Sequence, residues 1–178
     1  MPRWIAFLRA INVGGHVVKM HALKAIFEAI GFENVETFIA SGNVLFDSKE
    51  KNAAKLEARI EKELKAALGY ESSTYIRSIA ELQKLVGEMP YGDKELAADG
   101  YLQVGFFRDE LTKESRDLIS KLITETHDFR FGDKEVFWVI RGRFSENPLK
   151  GDLAARKLIA TGTFRNIKML RRLAAKCS

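Results

Sequence analysis

Cysteine is almost absent from the chain: only Cys177 occurs, next to the C-terminal residue. No internal disulfide can form, and zinc sites built from several thiolates are excluded. Such a composition fits a reducing compartment, so the cytoplasm is the expected location. Histidine is nearly as scarce, and His16 and His21 are five positions apart with His127 far away, which is not the spacing of a helix-borne metal site. Long apolar runs are missing too. The N-terminal stretch MPRWIAFLRAINVGG is interrupted by Arg3 and Arg9, too broken for a signal segment or a membrane span. The patterns Gly-x-x-x-x-Gly-Lys-Ser/Thr, Gly-x-Ser-x-Gly, His-Glu-x-x-His and Gly-x-Gly-x-x-Gly do not occur. The sequence therefore implies no cofactor and no metal, identifies no catalytic residue, and leaves open whether the chain is an enzyme. Its oligomeric state is equally unspecified.

What is present is enough for a sizeable core. The chain has 178 residues, of which 46% are hydrophobic, sufficient for one large domain or two small ones. The net charge of +5 is concentrated late. From 150 to 178, Lys150, Arg156, Lys157, Arg165, Lys168, Arg171, Arg172 and Lys176 face Asp152 as the one acidic residue. A basic segment of this kind is either a solvated helix face or a surface for an anion, a nucleic acid or an acidic partner.

Hydrophobic spacing sets the element order. RWIAFLRA (3 to 10) reads as a buried strand, and Met20, Leu23, Ile26, Phe27 and Ile30 form the stripe of a first helix ended by Gly31. VETFIA (35 to 40) and NVLFD (43 to 47) read as a hairpin with Gly42 supplying positive φ. A second helix runs from about 49 to 68 and closes at Gly69, and STYIR forms a strand. Ser78 and Glu81 form a capping box for a helix ending before Pro90. YGDKELAADG (91 to 100) reads as a connecting loop. Beyond it the order returns: strand 101 to 107, a helix capped by Thr112 and running to about 124, and strands 127 to 131 and 135 to 141. Two helical stretches, about 151 to 160 and 165 to 176, follow. The fold class predicted is α+β, with two related ferredoxin-like, βαββ-containing subdomains whose antiparallel sheets carry packed helices. The boundary is placed between 1–90 and 91–178.

Three polar clusters are candidates for a site. Gly14-Gly15 precedes the first helix, yet no Ser, Thr, Asp or Asn stands immediately before the apolar stripe to take up the N-terminal amides. Water or Asn12 could serve. A bound phosphate or carboxylate balanced by Lys19 and Arg9 is the sharper alternative. Ser41-Gly42-Asn43 has the composition of ordinary turn chemistry. Thr163 reads as the N-cap of the last helix, with Arg165 and Asn166 in its first turn. A cation there costs roughly 0.3 to 1 kcal/mol, which calls for an acidic partner or an anionic ligand near Arg165.

Residues 7 to 46, FLRAINVGGHVVKMHALKAIFEAIGFENVETFIASGNVLF, closely resemble the mainly bacterial family catalogued as domain of unknown function 1697. The resemblance rests on Arg9 with the loop Ile11 to Gly15, on Lys19-Met20, and on the hairpin Ser41 to Asn43. The family's C-terminal Thr-x-Arg-Asn-Trp is similar to Thr163 to Asn166, followed here by Ile167 in place of the tryptophan. It implies an α+β fold with two related subdomains and supplies no function. It marks Arg9, Asn12, Gly14, Gly15, Lys19, Ser41, Asn43, Thr163, Arg165 and Asn166 as candidate ligand-binding residues. The function expected is binding of a small anionic ligand, phosphorylated or nucleotide-like, at the Gly14-Gly15 loop. Alternatives are binding of RNA or single-stranded nucleic acid, a hydrolase or transferase acting on a phosphorylated substrate, and a protein-interaction module using the last helix.

Overall fold

Apolar residues at both faces of β1 (Arg3–Leu8) place it in the interior of a sheet, where it pairs antiparallel with β3 (Asn43–Asp47) on one side and β4 (Thr74–Ser78) on the other. With β2 (Glu33–Thr37) beyond β3, the sheet order is β2-β3-β1-β4. Helices α1 (Met20–Ala29) and α2 (Ala53–Leu68) supply the covering stripe: Leu23 and Phe27 from α1, Leu56, Ile60 and Leu64 from α2, against Trp4, Ala6, Leu8, Val44, Phe46 and Ile76. Each Val, Leu, Ile or Phe side chain among them contributes about 1.5–3 kcal/mol on removal from water. α2 starts at Asn52, whose Oδ1 accepts from Lys55 N, and stops at Gly69 in the left-handed region. The computed structural model describes residues 1–39, 42–97 and 100–178.

α3 (Ile79–Gly87) opens on the expected capping box: Ser78 N donates to Glu81 Oε2 at 2.6 Å and Glu81 N donates to Ser78 Oγ at 3.2 Å. The second sheet then repeats the first. β5 (Gly100–Phe106) is flanked by β7 (Glu135–Arg141) and β8 (Thr163–Asn166), with β6 (His127–Phe131) outside β7, giving β6-β7-β5-β8. That is the same permutation of strands as in the first sheet. α5 (Lys113–Ser120), capped by Thr112, and α6 (Leu153–Ile159), capped by Asp152, carry Ile119, Ala155 and Ile159 into a core with Phe107, Phe129, Trp138 and Ile140. α7 (Ile167–Lys176) ends the chain. Contacts group residues 1–84 with 173–178 as one unit and 85–172 as a second. Each unit is a mixed α+β body with a four-stranded antiparallel sheet.

The structure departs from the sequence expectations at three elements. The stretch expected as a loop contains α4 (Asp93–Ala97), whose start is held by Glu95 Oε2 accepting from Gly92 N at 2.8 Å. α5 ends at Ser120 rather than near 124. The last two helices are separated by a strand, β8, so the second half completes the β-α-β-β-α-β order of the first.

Candidate functional site

The chain leaves β1 at Leu8 and turns at once, with Ala10 at φ 58°. Three ties hold this exit. Leu8 N donates to Gly42 O, Arg9 N donates to Ser73 O and Ser72 Oγ donates to Arg9 O, each at 2.8 Å. Ile11 is buried, and its carbonyl accepts from the Tyr70 hydroxyl at 2.6 Å. The β1–α1 loop, the β2–β3 turn and the α2–β4 loop thus meet at one end of the first sheet. Gly14 and Gly15 both lie at positive φ, 63° and 82°, which explains the double glycine locally. Asn12 Oδ1 accepts from Val18 N at 2.8 Å and closes the loop. That bond is spent one residue before the N-cap, so Asn12 does not serve the helix amides.

Lys19 is the N-cap of α1, with extended backbone and no side-chain cap, and the first turn holds no acidic residue. The first helical bond runs from Leu23 N to Lys19 O, at 3.0 Å. The amides of Met20, His21 and Ala22 consequently have no protein acceptor among the described residues, at the positive end of the helix dipole. Neither the half-buried Arg9 guanidinium nor the exposed Lys19 ammonium has a hydrogen-bond or ion-pair partner among the described residues. Beside them His16, exposed, stacks on Tyr70 with ring centroids 4.3 Å apart. Tyr70 carried no signal in the sequence, because its role depends on two loops meeting.

Asn43 is buried and paired opposite Phe7, and its Nδ2 donates to Phe38 O at 3.1 Å and Ile39 O at 3.3 Å. It buttresses the hairpin, whose Gly42 has the expected positive φ of 96°. Ser41 lies outside the described residues.

The C-terminal motif requires correction. Thr163 is not a helix cap: it is the buried first residue of β8, opposite Phe106. Arg165 is not in a helical first turn but in the strand opposite Val104, so the unfavourable dipole argument does not apply to it. The cap is Asn166, whose Oδ1 accepts from Lys168 N at 2.7 Å. Strand alternation puts Thr163 and Arg165 on one face, and Arg165 Nη1 donates to Thr163 Oγ1 and Phe164 O, each at 2.9 Å. Burial lowers the Arg165 guanidinium to about 10, which leaves it cationic at neutral pH. Arg77 occupies the corresponding place in the first unit. It too sits at a strand end, one residue before a helix-capping side chain, and its Nη1 donates to the preceding carbonyl, Ile76 O, at 2.9 Å. The structure therefore places Arg9, Asn12, Gly14, Gly15 and Lys19 in one loop with Asn43 at the same sheet end, and Thr163, Arg165 and Asn166 together on β8 of the second unit.

One polar network had no forerunner in the sequence. The buried Tyr91 hydroxyl donates to Asp128 Oδ2 at 3.0 Å, and the Arg130 guanidinium lies 4.0 Å from the centre of the Tyr91 ring. Arg130 also donates to Pro90 O and bonds Glu95 Oε1 at 2.8 Å. Burial beside Asp128 pushes the Tyr91 phenol up, so it stays a neutral donor. All of these groups are consumed by one another, and the network fastens the segment around α4 to β6. Among the described residues no group of His, Cys, Asp and Glu is arranged to hold a metal.

A duplicated ferredoxin-like protein with an open, cationic strand-to-helix loop is thus the class that fold and site define. The chain belongs to the family described as Protein of unknown function (DUF1697), whose model matches residues 1–137. It is also similar to a solved structure, the conserved bacterial protein SP0830 from Streptococcus pneumoniae, with a TM-score of 0.81 and 23% identity over 99% of this chain and 98% of the other. That likeness shows the fold. No curated protein matches the chain. No helix among the described residues is long and apolar enough to cross a membrane.

Proposed function

We propose that the protein binds a small anionic ligand, phosphorylated or nucleotide-like, in the cytoplasm, and that the β1–α1 loop holds it. The observation that carries this reading is the uncapped start of α1. Three successive amides have no acceptor among the described residues, and the same loop brings two cations, Arg9 and Lys19, that have no partner there. An oxyanion at the helix start would take up the amide donors and gain from the dipole, an interaction of about 0.3–1 kcal/mol at an exposed site and up to about 2 when partly buried. Two further charge-assisted hydrogen bonds from Arg9 and Lys19 would add to it.

The test is thermal unfolding with inorganic phosphate, pyrophosphate, AMP and a short single-stranded RNA, on wild type, Arg9→Ala and Lys19→Ala. A ligand at a hundred times its Kd stabilises by about 2.7 kcal/mol, several degrees for a domain of this size. The expected result is a rise in wild type that shrinks in both variants and persists in added salt, which separates a formed site from attraction to the +5 net charge. Equal rises in all three proteins, or none with any ligand, would remove the proposal. A rise confined to RNA would transfer support to nucleic-acid binding.

A further inference from the structure

A cleft of about 280 Å³ lies wholly within the second unit, between the start of α7 and β5. Its floor is apolar, formed by Leu102 and Ile167, which are 2% and 6% exposed. Its walls carry Tyr101, Lys168 and Arg171, with Asp93 at the edge. Three properties distinguish it from an ordinary surface dip. Tyr101 is 42% exposed, and neither its ring nor its hydroxyl has a partner among the described residues. The Lys168 ammonium has no acidic partner among them either. Arg171, three residues further along α7 and therefore on the same helix face, is only loosely held, 3.5 Å from the exposed Asp93 carboxylate. The helix amides are not the attraction, because Asn166 already accepts from Lys168 N.

We propose that this cleft is a binding site for a small monoanion bearing one ring, with the ring against Tyr101 over the apolar floor and the anionic group between Lys168 and Arg171. Size decides the class. Clefts that take drug-sized ligands span about 300–1,000 Å³, so this one suits a single ring with one substituent rather than a dinucleotide or a peptide. Charge decides the valence, since two cations and one carboxylate leave a net of one positive charge at the walls. The site is independent of the β1–α1 loop, which lies in the other unit.

The experiment is an NMR titration of the full chain with benzoate, acetate and benzyl alcohol, which supply ring and anion together, anion alone and ring alone. Benzoate is expected to move the amides of Tyr101, Lys168 and Arg171 and to bind about tenfold tighter than either partial probe, the equivalent of about 1.4 kcal/mol. Lys168→Gln should weaken benzoate and leave benzyl alcohol unchanged, whereas Tyr101→Leu, which keeps apolar bulk in the strand, should reduce benzoate towards acetate. Thermal unfolding of both variants at the wild-type temperature confirms that the fold is kept. Benzoate binding no tighter than acetate, or unchanged in Lys168→Gln, would overturn the proposal, as would shifts confined to other residues. The same spectra titrated with inorganic phosphate report on residues 9–22, so the two sites succeed or fail separately.

Discussion

At the scale of the residue, His127 is the group whose chemistry the fold constrains most. Trp138 Nε1 donates to its Nδ1 at 3.1 Å in a buried contact, so that nitrogen must stay unprotonated. Burial lowers the imidazole below its ordinary value, and the nearby carbonyls of Asn147 and Pro148 work against that effect without reversing it. The unfolded chain, with an ordinary value near 6.5, then takes up the proton more readily than the folded one. Stability from this group is complete above about pH 6.5 and is lost as pH falls through the depressed folded value. The expected outcome is a urea midpoint that drops between pH 7.5 and 5.5 in wild type and drops less in His127→Gln, which keeps an acceptor for Trp138 but does not titrate. Equal drops would refute the assignment. Local chemistry of this grade was partly legible in the sequence. Gly42, Gly69, Thr112 and the Ser78–Glu81 box behave as their residue types demand, because caps and turns are decided within four residues. Gly105 could not be read that way. A Cβ there would lie 2.5 Å from the Phe164 ring, and that requirement arises only when β8 is laid beside β5.

Elements show the same division between local and borrowed signals. β8 was invisible because Thr163 to Asn166 is short, lacks a hydrophobic alternation and takes its extended form from β5; read alone, it looks like the start of a helix. α4 was hidden by a polar, glycine-containing segment and is fixed by Glu95, Tyr91 and Arg130, the last of these 35 positions from Glu95. β4 presents a clearer design. It is an edge strand, and the outward amides of Thr74 and Ile76 donate to Glu61 Oε1 at 2.8 Å and Glu57 Oε1 at 3.0 Å, both from α2. Four residues of helix rise about 6 Å and two of strand about 6.7 Å, so carboxylates four apart match amides two apart. The edge is closed to pairing with another chain. Glu57→Ala should cost about 1–3 kcal/mol by stranding a buried amide, and Glu57→Gln, which keeps the acceptor oxygen, should cost less. Urea unfolding and the exchange rate of the Ile76 amide check this together; a loss equal in the two variants would mean that charge rather than the accepted bond is what matters.

For the whole molecule the repeated strand order, the paired caps Asn52 and Asp152, and the matched arginines Arg77 and Arg165 describe one βαββαβ plan used twice. The order of elements carried that plan in the sequence; the register that aligns the arginines did not appear until both sheets were formed. The last six residues group with the first unit although α7 begins in the second. Two features could fasten that end. Lys176 Nζ lies 2.8 Å from Glu36 Oε2 on the surface, and this contact with Lys176 holds the Glu36 carboxyl below its ordinary value. Leu173 is fully buried. Magnitudes separate them: an exposed ion pair contributes about 0–1 kcal/mol, whereas truncating a buried leucine to alanine costs about 2–5. The chain has two tryptophans, Trp4 in the first unit and Trp138 in the second, so Trp138→Phe and Trp4→Phe backgrounds give a fluorescence probe for each. Leu173→Ala should lower the urea midpoint seen by Trp4 strongly at every salt concentration. Lys176→Ala should lower it slightly, and only in low salt. A larger effect from Lys176→Ala than from Leu173→Ala would mean that the tail is held by charge, and that its basic composition serves the fold rather than a partner.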